Sequence, residues 1–127
     1  METRSGHTVL LDASLEHGGS NRGPTPMEAV LVGLAGCTGM DVISMLRKMR
    51  QDVTRYEVKI RDRREDEHPR TFKEIEVLHI IHGRGVDPAA VERAVNLSES
   101  KYCSVSAALS SGCPVRHEFQ IVPSDGA

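Results

Sequence analysis

The chain has 127 residues, a length that fits one domain spanning 1–127 and buries roughly two-thirds of its unfolded surface on folding. Sixteen Lys and Arg stand against 18 Asp and Glu, and aromatics make up 3% with no Trp, so neither a phosphate-tracking surface nor base-stacking platforms are expected and nucleic acid is argued against. Hydrophobic residues make up 39%, and no uninterrupted apolar run approaches the roughly 18 residues of a membrane span, so no membrane association is expected.

The opening residues Met1 to His7 carry no apolar stretch of secretory type, which predicts a cytoplasmic, reducing setting. A first strand is predicted over Thr8 to Leu11, followed by a Gly-, Pro- and Ser-rich loop from Glu16 to Pro26. The longest apolar stretch, Met27 to Met49, is entered through Thr25 as N-cap, Pro26 as first helical residue and Glu28 as capping-box partner, so a helix starts there. It is apolar on nearly every side until Asp41 and carries Gly33, Gly36 and Gly39, each costing about 1 kcal/mol relative to Ala in a helix interior. Either another backbone packs closely against these glycines, or they give access to Cys37.

Tyr56 to Arg63 and Phe72 to His82 alternate apolar and polar residues and read as strands, joined by the charged loop Arg63 to Arg70. Asp87-Pro88 opens a second helical region in which Val91, Val95, Ser98, Tyr102, Val105 and Leu109 form one stripe, with Cys103 at its border. The capping-rich run Asn96 to Ser100 predicts a break, and Ser100 as a new N-cap would put Cys103 in a first turn whose free N–H groups favour a thiolate. His117 to Val122 is the closing strand.

Three cysteines, Cys37, Cys103 and Cys113, are an odd number at wide spacing, which fits neither a disulfide framework nor a CxxC zinc site. His79 and His82 project to opposite faces of their strand, and Cys113 with His117 lacks further ligands nearby, so no metal and no cofactor are expected. No nucleotide-binding or serine-hydrolase motif is present.

Pro24-Thr25-Pro26-Met27-Glu28, Gly36-Cys37, the run from Asp41 to Lys48, and Glu99-Ser100-Lys101-Tyr102-Cys103-Ser104-Val105 together resemble the OsmC/Ohr superfamily, particularly its YhfA-like branch, over about Gly6 to Val122. The resemblance implies an α+β fold with two long central helices packed against antiparallel β-sheets in an intertwined homodimer. It also implies thiol-dependent reduction of organic hydroperoxides in a stress response, with Cys37 attacking, Cys103 resolving and a small dithiol as reductant. An arginine and a glutamate near the helix start serve the reactive thiol in the family. Arg22 is the first candidate for the arginine and Arg4 the second, from the same or the partner chain; a solvated loop arginine is the plainer reading of Arg22.

For the glutamate, Met27 stands at the family's position and Glu28 follows it. Nine residues before Cys37, Glu28 points away from it on an ideal helix, which suits a capping residue better than a partner of the thiol; Glu28 is kept as a catalytic candidate on the resemblance alone. Gly112-Cys113-Pro114-Val115 repeats a family pattern around the resolving cysteine, but it lies beyond the helix, so Cys113 stands as the alternative to Cys103. Met27 also leaves open a second function, a non-catalytic homodimeric binder of an apolar small molecule.

Overall fold

Capping chemistry sets the start of the long apolar helix. In the computed structural model, which describes residues 1–124, helix α1 runs Pro26–Lys48. The Thr25 N–H donates to Glu28 Oε1 at 3.0 Å, and the Glu28 N–H donates to Thr25 Oγ1 at 3.2 Å, a reciprocal capping box. There follow strands β1 (Asp52–Arg64) and β2 (Phe72–Arg84), helix α2 (Pro88–Leu97), a π-type turn (Ser98–Tyr102), helix α3 (Ser104–Ser110) and strand β3 (Val115–Pro123). The contact pattern divides the chain into two compact units, Met1–Gly33 and the remainder from Leu34.

In the first unit the expected strand Thr8–Leu11 is not formed. Only an isolated bridge joins Glu2 to Thr8, and Val9 and Leu10 are exposed, because no second strand in this unit offers a continuous ladder. The loop is organised instead by Asp12, whose carboxylate accepts the N–H groups of Ala13, Ser20 and Arg22. These bonds, that from Arg22 foremost, hold its carboxyl below the usual range.

The second unit is built on one sheet of order β1-β2-β3 among the described residues. The α+β class is as expected, but the sheet is mixed rather than antiparallel: β1 and β2 form an antiparallel hairpin, whereas β3 runs parallel to β2. The helical crossover from α2 to α3 returns the chain to the free edge of β2 in the same direction, as parallel pairing requires. Val42 and Leu46 of α1, Ile81 of β2 and Val91, Ala94 and Val95 of α2 form the buried core.

Leu34, Thr38, Val42 and Leu46 recur every four residues and are the buried stripe of α1, with Gly39 beside it. Gly39 lies 3.6 Å and 3.7 Å, by its would-be Cβ, from Val58 and Tyr56 side chains; Gly33 and Gly36 face open space. Among the described residues, close packing of another backbone within its own unit is thus found at none of the three glycines. Val32 and Met40, 64% and 74% exposed, extend the uncovered apolar surface. The expectation drawn from apolar run length also needs correcting: an 18-residue window of Pro26–Lys48 has a mean hydropathy of 1.8 and is long and apolar enough to cross a membrane by length and composition. Glycine, Thr38 and Asp41 interrupt the strictly apolar run without lowering that average enough.

The predicted stripe of the second helical region breaks at the π-type turn. Tyr102 is 53% exposed, whereas Cys103 and Ser106 are buried. The turn closes with the Cys103 N–H donating to Ser98 O, five residues back, at 2.7 Å. That extra residue rotates the chain by about 100° and exchanges Tyr102 for Cys103 on the inner face.

Tyr56, His79 and His117 share the inner face of the sheet. Tyr56 Oη lies 2.6 Å from His79 Nδ1, and His79 Nε2 lies 3.1 Å from His117 Nδ1. Their rings stack with interplanar angles of 4° and 18°. Burial, reinforced by His117, pulls His79 from 6.5 down to about 4, and burial lowers His117 as well. Between pH 4 and 6.5 the unfolded chain therefore binds the proton that folded His79 refuses. Its contribution to stability is complete above about pH 6.5 and is lost as pH falls toward 4, by roughly 3 kcal/mol. Urea midpoints should decline from pH 7 to 4.5, and His79→Gln should flatten that decline; equal slopes in the two proteins would contradict the assignment.

Candidate functional site

Two thiols remote in sequence meet in the second unit. Cys37 lies on α1, Asp41 one turn further along the same helix face, and Cys103 at the junction of the π-type turn and α3. The two sulfurs and a carboxylate oxygen of Asp41 all lie within 4.8 Å of one another. All three cysteines are free thiols, and a disulfide of about 2.05 Å between Cys37 and Cys103 needs an approach of less than about 3 Å.

Cys103 is itself the N-cap of α3, in an extended conformation at φ −78° and ψ 102°, where Ser100 had been expected. The Ser106 N–H donates to Cys103 Sγ at 3.3 Å, while Ser100 Oγ donates to Asn96 O at 2.7 Å. Burial pushes the Cys103 thiol up to about 11; the Ser106 N–H opposes this, and Cys37 and Asp41 push in the same direction as burial. Cys103 is thus a protonated thiol at neutral pH rather than the thiolate that a helix start alone would favour. It is an S–H donor beside the Cys37 sulfur.

Asp41 had not been singled out by sequence reasoning, although its i, i+4 spacing from Cys37 places both on one helix face and was available as a signal. Its carboxylate is held by a hydroxyl chain. Thr38 Oγ1 and Ser98 Oγ are 2.9 Å apart, and Ser98 Oγ donates to Asp41 Oδ2 at 3.0 Å. Because Ser98 has one proton and gives it to Asp41, Thr38 is the donor to Ser98. Burial first, and the charge of Asp41 second, raise the Tyr56 phenol well above its usual range. A cavity of about 560 Å³ opens beside Asp41, with Met40, Met45, Met49, Leu97 and Tyr102 among its lining.

Each of the other sequence candidates sits within its own unit. Arg22 and Arg4 belong to the first unit and are exposed; the Arg22 N–H is engaged at Asp12. Glu28, also in the first unit, spends Oε1 on the Thr25 N–H. Cys113 is buried after α3, its thiol donating to Leu109 O at 3.8 Å.

A family model described as OsmC-like protein matches residues 18–118. The chain is 42% identical over 121 residues to Protein YhfA of Escherichia coli K12, covering 95% of this chain and 87% of that protein. A hypothetical protein from Aquifex aeolicus VF5 is similar in structure, with a TM-score of 0.78 and 32% identity over 84% of this chain and 80% of that one. The organic hydroperoxide resistance protein OhrB of Bacillus subtilis shares the fold at a TM-score of 0.62 and 17% identity, over 94% of this chain and 87% of that one.

The hydroxyl chain makes a measurable demand. Ser98→Ala leaves Asp41 Oδ2 and the Thr38 hydroxyl without their partner and should lower stability by about 1–3 kcal/mol in urea unfolding. Thr38→Val combined with it should cost less than the sum of the two single changes. Full additivity would show that the two hydroxyls act independently.

Proposed function

This chain belongs to the OsmC-like family, and on that premise we propose that it reduces organic hydroperoxides with Cys37 and Cys103 as its thiol pair, in the cytoplasm and as part of a response to peroxide stress. The observation that carries the reading is the approach of the two sulfurs to within 4.8 Å. The Cys37 thiolate attacks the terminal oxygen of the hydroperoxide. The O–O bond breaks, Cys37 becomes a sulfenic acid, and the leaving alkoxide takes a proton to depart as the alcohol. Cys103 sulfur then attacks Cys37 sulfur, its proton joins the departing hydroxide as water, and the disulfide forms. A small dithiol returns two electrons and restores both thiols.

In this reading Arg22 or Arg4, from the same or a partner chain, supplies the positive charge an attacking thiolate needs. Glu28 is left to the helix start by its bond to Thr25, and Met27 takes the place of a carboxylate. A homodimer is supported by the uncovered apolar residues Val32 and Met40 and by the open space at Gly33 and Gly36.

A second reading, a non-catalytic homodimeric binder of an apolar small molecule, is favoured by the methionine-rich cavity beside Asp41. The two are separated by adding one equivalent of cumene hydroperoxide to reduced, chelator-treated protein. Peroxidase chemistry consumes two thiols and yields a Cys37–Cys103 disulfide on peptide mapping, and Cys37→Ser abolishes turnover with the protein still folded. Both cysteines remaining free after the hydroperoxide would defeat it, and an apolar ligand retained in native mass spectra would then support the binder.

A further inference from the structure

We propose that the reduced site binds a divalent cation of the zinc type through Cys37, Asp41 and Cys103. This goes beyond the peroxidase reading, which gives Asp41 no part, and it does not require turnover. Two thiolates and one carboxylate are a donor set that zinc accepts, the Cys103 proton being released to solvent as the ion binds; with about 2.3 Å for sulfur and 2.0–2.2 Å for oxygen, tetrahedral ligand atoms stand roughly 3.5–3.8 Å apart. The three atoms here all lie within 4.8 Å of one another, and side-chain rotation that draws the widest pair together by about 1 Å completes the geometry.

The placement has the layout of a metal site. Cys37 and Asp41 present two ligands from one face of α1 at i and i+4, and Cys103 brings the third from the start of α3. Each of two ligands already has an orienting partner: the Ser98 hydroxyl on Asp41 Oδ2 and the Ser106 N–H on Cys103 Sγ. Asp41 Oδ2 accepts one hydrogen bond, from Ser98, and a carboxylate so held keeps lone pairs for an ion. No described Lys, Arg or His of the second unit forms an ion pair with Asp41 within 4.0 Å, so within the unit the carboxylate charge is available to a cation at the cluster.

Three protein ligands leave a fourth position open, as in catalytic rather than structural zinc sites. Asp41 also lines the cavity of about 560 Å³, which supplies an entry path and room for water or a small molecule on the ion. Metal occupancy and the disulfide are mutually exclusive states, because each uses both sulfurs.

The test uses reduced, metal-free protein without peroxide, titrated with Zn²⁺ against a chromophoric chelator and separately with Co²⁺. One equivalent should bind, and the cobalt form should show thiolate-to-metal charge transfer with the visible bands of tetrahedral cobalt. Cys103→Ser and Asp41→Asn should each weaken zinc binding at least about tenfold, Ser98→Ala by about tenfold with the cobalt spectrum kept, and Asp41→Glu should retain tetrahedral cobalt. Cys113→Ser should bind as the unmutated protein does. Wild-type affinity in Asp41→Asn would reduce the event to adventitious binding by cysteines and overturn the proposal, as would loss of binding in Cys113→Ser or a cobalt spectrum without thiolate charge transfer. Because hydroperoxide oxidation is read in chelator-treated protein and metal binding in peroxide-free protein, either can fail while the other stands.

Discussion

The site depends on a hydrogen-bonded contact between elements 60 residues apart: the hydroxyl chain from Thr38 through Ser98 to Asp41. It ties the middle of α1 to the first residue of the π-type turn, and that turn delivers Cys103. Thr38 and Ser98 are fully buried, so leaving either unpaired carries a desolvation cost that the alternative arrangements of the turn must meet. The contact is thus directional where apolar packing alone would allow the helix to slide or rotate. It fixes Asp41 and brings Cys37, one turn earlier on the helix, near Cys103.

The π-type turn is the second half of the same device. A regular helix through Ser98 to Ser104 would keep Tyr102 on the inner face and leave Cys103 at its border. Insertion of one residue into the turn moves the thiol inward and makes it the cap of α3. Burial then decides its protonation. The N–H of Ser106 favours the anion, but burial together with Cys37 and Asp41 outweighs it, so the same backbone geometry that suggests a thiolate yields a neutral thiol.

Beneath the site, the sheet contributes a polar seam rather than a purely apolar floor. Tyr56, His79 and His117 hydrogen-bond in series and stack, and Tyr56 packs against Gly39 on the helix that carries Cys37. A Cβ at Gly39 would stand in ordinary contact with Tyr56 and Val58, so the packing around α1 demands glycine there no more than at the other two positions. Val32 and Met40 of α1, by contrast, stay exposed among the described residues.

Sequence alone determined the elements whose signals are local. The Thr25–Glu28 capping box, the Asp87 N-cap before Pro88, the two alternating strands and the parting of the second helical region all follow from interactions spanning a few residues, and each is present. Motifs around Cys37 and Cys103 were enough to indicate the family as well. Tertiary structure decided the rest. Thr8–Leu11 has strand-forming residues but no ladder partner in its unit, and β3 runs parallel because of the crossover that precedes it. The strand periodicity places His79 on the inner face, but His117 meets it only through the register of β2 with β3. Asp41 became a site residue only when Ser98 and Cys103 arrived from the other end of the chain. Local rules describe how a backbone bends; they carry no information about which distant side chain will share the space and the dielectric that result.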